Sequence, residues 1–178
     1  MTQASFWFGP EVTGLQPVAE IGAFLTVDAD FPSAREDGSI LGAARHRVRE
    51  ARVDATLRAA LRRSQGREPH VISGWVNHYA AGDFAAVHHD RQDSALTALL
   101  ALDETADPLV ICPPTARNTD LSVLEQARND PFPPGERVIL ERHRFLFLRG
   151  ALTPHHRPPA TRAYRVLAIT LGGGSDDG

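Results

Sequence analysis

The chain has 178 residues, 42% of them hydrophobic and 23% charged, with 19 Lys+Arg against 22 Asp+Glu for a net charge of −3. These proportions describe an ordinary globular domain with enough chain for a sizeable core, and they exclude a global basic field that would draw in a polyanion. Every basic residue is arginine, so no Schiff-base or phosphate-loop lysine is available, and the single cysteine, Cys112, excludes an intramolecular disulfide.

The opening stretch MTQASFWFGPEVTG lacks the basic and apolar regions of a secretory signal. No apolar run reaches the length of a membrane span, so a cytoplasmic protein without membrane contact is expected. Residues 1–33 hold short apolar pieces, Phe6–Phe8 and Ile21–Val27, that suggest strand or irregular structure. Residues 34–64 are rich in Ala and Arg. Leu41, Ala44 and Val48, then Val53, Leu57, Ala60 and Leu61, recur at helical spacing. One or two amphipathic helices are expected there, with Asp54 as a cap and an end near Gly66.

After Pro69 the pattern changes. HVISGWVNHY (70–79), FAAVHHD (84–90), SALTALLALD (94–103), DPLVIC (107–112), RVILE (137–141), RFLFL (144–148) and YRVLAITL (164–171) are short, β-rich or apolar, and divided by turn residues. Such a series predicts an all-β sandwich or barrel rather than βαβ units. The 113–135 segment interrupts it as a long loop, a lid candidate with a short helix around Leu121–Ala127. The expectation is a single domain over 1–172, mainly β with N-terminal helices. Residues 1–69 support a core formed by 70–172, and 173–178 form a flexible tail.

Five of the eight histidines fall in two segments, 78–89 and 155–156. His88-x-Asp90 lies in a strand-like stretch, where residues two apart share a face. An imidazole and a carboxylate therefore project together. His155-His156 supplies a second histidine. Two histidines and one carboxylate on a β scaffold, with coordination positions left open, make the facial triad of non-haem iron(II) chemistry. By itself the dyad is weak, since a chain of this composition yields about half of one by chance. Asn77 and Tyr79 share a strand face and can hydrogen-bond a carboxylate or keto oxygen, or simply pack inside a barrel. Gly82 suits a turn. Trp75 and Phe84 are expected in the core. Arg91 and Arg149 are expected as surface charges, with pairing to a substrate carboxylate the alternative, and His78 and His89 as neighbours that alternate away.

The surroundings sharpen this. Asn77-x-Tyr79-x-x-Gly82-x5-His88-x-Asp90 resembles the signature of 2-oxoglutarate- and iron(II)-dependent dioxygenases. SALTALLALDE, and Arg144–Gly150 followed by Thr153-Pro154-His155, resemble later segments of the prolyl-hydroxylase-like branch. His155 to Arg165 is similar to the family's spacing between the distal histidine and the arginine that grips 2-oxoglutarate. The resemblance covers about residues 70–172. The glycine-rich segment that often follows the dyad strand is replaced by DPLVICPP, and the second strand arginine of the demethylase branch is missing.

The resemblance implies a double-stranded β-helix (a jelly roll, cupin-like). It implies iron(II) held by His88, Asp90 and His155, with His156 the competing third ligand. It also implies 2-oxoglutarate as co-substrate, bound by Arg165, Tyr79 and Asn77, and dioxygen as oxidant. The implied reaction is hydroxylation of an unactivated C–H bond; with Asp90 in the carboxylate position no place is left for a halide. A small-molecule substrate, such as an amino acid or natural-product intermediate, suits the short chain, and the acidic net charge argues against nucleic acid. Two alternatives stand beside it: a dioxygenase of a polymer (a protein side chain or an alkylated base), and a non-catalytic metal-binding jelly roll.

Overall fold

The computed structural model describes residues 5–7, 25–27, 43–51, 59, 62, 69–104, 106–116, 132–142 and 145–173. Eleven strands appear among them: β1 Ser5–Trp7, β2 Leu25–Val27, β3 Ala44–Ala51, β4 Pro69–Tyr79, β5 Ala85–His88, β6 Leu96–Ala101, β7 Leu109–Ile111, β8 Glu136–Val138, β9 Leu146–Leu148, β10 His155–Arg157 and β11 Tyr164–Gly173. They form a seven-stranded sheet, ordered β1-β9-β6-β11-β4-β3-β2, and a four-stranded sheet, β5-β10-β7-β8. All recorded pairings are antiparallel. Two such sheets with strictly antiparallel neighbours form the expected jelly roll.

The strands follow from their sequences. β6, apolar but for Thr97, and β9, apolar throughout, are buried along their full length. One core cluster joins the two sheets, with Leu99, Ala101, Leu146, Leu148 and Val166 from the larger meeting Leu109, Ile111 and Val138 from the smaller. On the opposite face of the larger sheet, Val76, Leu96, Ala98, Leu100, Phe147, Leu167 and Leu171 form a second buried cluster. β6 and β11 are thus apolar on both faces, as a sheet buried on both sides requires.

Two expectations give way here. Residues 44–51 form strand β3, not a helix, and pair with β4 from Ala44↔His78 to Arg47↔Trp75. Pairing with a long neighbouring strand overrides the helical spacing of Ala- and Arg-rich sequence. Ala59 and Arg62 are helical; the rest of the expected helix over 53–64 lies outside the described residues, as do most of the 113–135 loop with its Leu121–Ala127 helix and residues 174–178. The other difference is β10, formed by His-His-Arg between prolines, which completes the smaller sheet between β5 and β7. Gly82 does turn the chain, with φ of +87°, and its N–H donates to the Ala160 carbonyl at 2.8 Å. Among the described residues no helix is long and apolar enough to cross a membrane.

Candidate functional site

A cavity of about 270 Å³ lies between the sheets, lined by Trp75, Asn77 and Tyr79 of β4, His88, Asp90, Leu99 of β6, His155 and Arg157 of β10, and Val166 and Ala168 of β11, among others. Alternation on β4 sends Ser73, Trp75, Asn77 and Tyr79 to this side, while Val76 joins the opposite cluster. Asn77 and Tyr79 therefore share a face as expected. Phe84 is core, packed edge-on against Phe132 at 5.9 Å. Trp75 differs from expectation: it is half-buried on the cavity wall.

β5 and β10 pair so that His155 stands opposite His88, with ring centroids 4.3 Å apart. Asp90 lies just past the end of β5, where its N–H donates to the Gly150 carbonyl at 3.0 Å. Its Oδ1 is 3.8 Å from His88 Nε2 and 3.7 Å from His155 Nε2. One ligand atom from each of the three residues lies within 4.8 Å of the others.

The donors are also set chemically. His88 Nδ1 bonds the Ala86 carbonyl at 2.7 Å, and His155 Nδ1 bonds the Thr153 carbonyl at 2.9 Å. With Nδ1–H donating in each, Nε2 keeps its lone pair for the shared point, the outer-shell pattern that orients metal-binding imidazoles. Burial and the neighbouring His155 push the pKa of His88 down to about 3; burial lowers that of His155 as well. Both rings are thus neutral, as a ligand must be. Thr97 donates to Asp90 Oδ2 at 2.5 Å, which leaves Oδ1 toward the histidines. Gly150 is required beside them, because a Cβ there would overlap the Asp90 carboxylate. This donor set suits a divalent transition metal with open positions.

His156 stands outside the triad. Its ring stacks on Phe132 at 4.9 Å, and Nε2 bonds the Pro133 carbonyl at 3.0 Å. His89 borders the cavity without joining the three. Arg91 is exposed and paired with Asp93 at 2.7 Å.

Arg165 does not line the cavity that holds the other expected site residues; it borders a separate pocket with His78, Tyr79 and Asp103. β11 pairs with β4 through Tyr164↔Tyr79, Arg165↔His78 and Val166↔Asn77. Tyr164 and Val166 therefore face the inner core, and Arg165 faces out with His78. Its side chain is half-exposed and held by Asp103, with Nη2 at 2.7 Å from Oδ1 and Nε at 3.2–3.3 Å from both oxygens. Two arginines line the cavity: Arg91, exposed and paired with Asp93, and Arg157, only 3% exposed. The latter lies two residues beyond His155 on the same strand, a spacing that would have pointed to it had β10 been recognised.

No protein-family model and no curated protein matches the sequence. Solved structures do match the fold. A Pseudomonas putida prolyl-4-hydroxylase aligns with TM-score 0.60 at 14% sequence identity, covering 98% of this chain and 95% of its own. An oxidoreductase of the 2OG-Fe(II) oxygenase family from Burkholderia pseudomallei aligns with TM-score 0.64 at 11% identity, covering 95% and 84%. HygX from Streptomyces hygroscopicus, solved with nickel, 2-oxoglutarate and hygromycin B bound, aligns with TM-score 0.57 at 16% identity, covering 97% and 84%. In fold, the chain stands with the prolyl hydroxylases and 2OG-Fe(II) oxygenases.

Proposed function

We propose that the protein is an iron(II)- and 2-oxoglutarate-dependent oxygenase that hydroxylates an unactivated C–H bond of a small molecule. The observation that carries this reading is the convergence of His88, Asp90 and His155 at the wall of a cavity between the two sheets of this fold. His88, Asp90 and His155 would hold the metal, and the cavity beside them would admit co-substrate and dioxygen. Iron(II) with 2-oxoglutarate and dioxygen supplies the oxidising power, which no side chain of the protein could provide.

The chain's own residues do the rest. Thr97 and Gly150 keep the Asp90 carboxylate aimed at the histidines. Burial raises the pKa of the Tyr79 phenol, so it stays a proton donor beside the cavity. Asn77 offers an amide from the same face. Leu99, Leu109, Val166 and Ala168 give the cavity apolar walls that limit water near a reactive centre. A volume of about 270 Å³ is small for a ligand pocket, which favours a compact substrate or one reacting group entering from the rim. HygX, with hygromycin B bound beside 2-oxoglutarate, is an example of this fold accepting a small molecule.

The test is a screen of amino acids and natural-product intermediates for stimulated 2-oxoglutarate turnover, read as succinate release. At least one compound should raise turnover above the unstimulated rate, and His88→Ala should abolish both. Succinate release that persists in His88→Ala would sink the assignment.

A further inference from the structure

We infer that Arg157, and not Arg165, grips the distal carboxylate of 2-oxoglutarate in this protein. The inference rests on the oxygenase reading above and adds a residue to it. Arg157 is buried at 3% exposure. Nη1 donates to the Asp107 backbone carbonyl at 2.9 Å, and Nη2 has no hydrogen-bond partner. No carboxylate pairs with it among the described residues; that of Asp107 is taken by the Thr161 N–H and hydroxyl. A buried guanidinium without a counter-charge is costly to keep, and an arriving carboxylate relieves that cost with charge-assisted hydrogen bonds.

The surroundings are built for an anion. Arg157 sits over the Tyr79 ring, 5.6 Å from its centroid. Tyr79 stacks on Tyr164 with centroids 4.8 Å apart. The Tyr164 hydroxyl also has no partner at full hydrogen-bond geometry, and it lies close enough to Arg157 for the guanidinium to act on it by charge and by hydrogen bonding. The corner thus holds a buried cation beside a phenol hydroxyl.

The spacing also fits. Arg157 follows His155 by two residues on β10, at most roughly 6.6 Å along a strand and less across the irregularity in its pairing with β5. The two carboxyl carbons of a five-carbon diacid are about 5 Å apart when extended. A keto acid anchored beside His155 can therefore place its far carboxylate at Arg157. Arg165 cannot serve without leaving Asp103 and crossing its own strand, because it lies on the outer face of β11.

The test compares 2-oxoglutarate with 2-oxobutanoate, which lacks the distal carboxylate, by anaerobic calorimetry on the Mn(II)-loaded full-length protein. Wild type should prefer 2-oxoglutarate by at least tenfold. Arg157→Gln should bring the two acids within about twofold while metal affinity and 2-oxobutanoate binding stay as they are. Arg165→Gln should keep the full preference. Retention of the preference in Arg157→Gln, or its loss in Arg165→Gln, overturns the inference while leaving the oxygenase reading intact. Wild type that binds neither acid overturns both. Should the glutamine variant fail to fold, Arg157→Lys keeps the charge without the planar fork and should lower the preference several-fold; an unchanged preference there also counts against Arg157.

Discussion

Replacing Gly150 with alanine should detach the metal while leaving the fold standing. A Cβ at Gly150 would overlap Oδ2 and Cγ of Asp90 and lie 2.9 Å from its Cβ. The carboxylate cannot simply swing aside. Oδ2 is held by Thr97 at 2.5 Å, and Oδ1 must stay near the imidazoles, now 3.7 and 3.8 Å away. Any displacement therefore gives up the hydrogen bond, the ligand position, or both. Loss of an orienting partner alone costs about 10–100-fold in metal affinity. Displacing the ligand itself should reach the upper figure or beyond, about 2.7 kcal/mol. Overpacking should cost the metal-free fold roughly 1–3 kcal/mol, a fall of about 3–10 °C in melting temperature for a chain of this size. Calorimetric Mn(II) titration beside thermal melts by circular dichroism measures the two effects separately. Gly82→Ala is the control. Its φ of +87° makes a side chain strained with nothing within 4 Å to strike, so it should cost about 1–2 kcal/mol of stability and no metal affinity. A folded Gly150→Ala that binds Mn(II) within threefold of wild type would refute the reasoning.

Three further outcomes follow from the same geometry. Thr97→Val should lower metal affinity about 10–100-fold with Thr97→Ser near wild type; equal loss in both would mean packing, not the hydroxyl, holds Asp90. His156→Ala should keep its metal within a few-fold and His155→Ala should lose it, because His156 is committed to Phe132 and Pro133; the reverse result would exchange their roles. The metal-free protein should lose stability as pH falls from 6.5 toward 3. An unfolded histidine protonates near 6.5, whereas buried His88 resists until about 3 and His155 is shifted the same way. Across that window the unfolded chain binds protons that the folded chain does not, so stability is full above it and lost through it. Denaturant midpoints should then fall more steeply from pH 7 to 5 in wild type than in His88→Gln, and equal slopes would contradict this.

Sequence periodicity located most of the β framework because those strands are short, apolar and bounded by turn residues. It failed at β3, where ARHRVREA has the composition of a helix and becomes a strand only by pairing with β4. It failed again at β10, where two histidines and an arginine between prolines carry no apolar signal. The grouping of His88, Asp90 and His155 and the shared face of Asn77 and Tyr79 were legible, because motif spacing and the two-residue period of β4 act within short stretches. The outward orientation of Arg165 was not legible for two reasons. Counting from His155 crosses the irregular 158–163 segment, which does not preserve strand parity. Moreover, Val166 and Ala168 on one side of β11 are as apolar as Leu167 and Ile169 on the other, so the pattern does not say which face is inward. Only the pairing Tyr164↔Tyr79 settles it.

On the proposed reading, His88, Asp90 and His155 hold iron in a form that binds 2-oxoglutarate. Anaerobic addition of iron(II) and then 2-oxoglutarate, followed by visible absorption, probes this without a substrate. A charge-transfer band should appear only when both are present, saturate at one iron per chain, and be missing in His88→Ala. A wild-type protein that shows no band, or a His88→Ala variant that shows the same one, would contradict it.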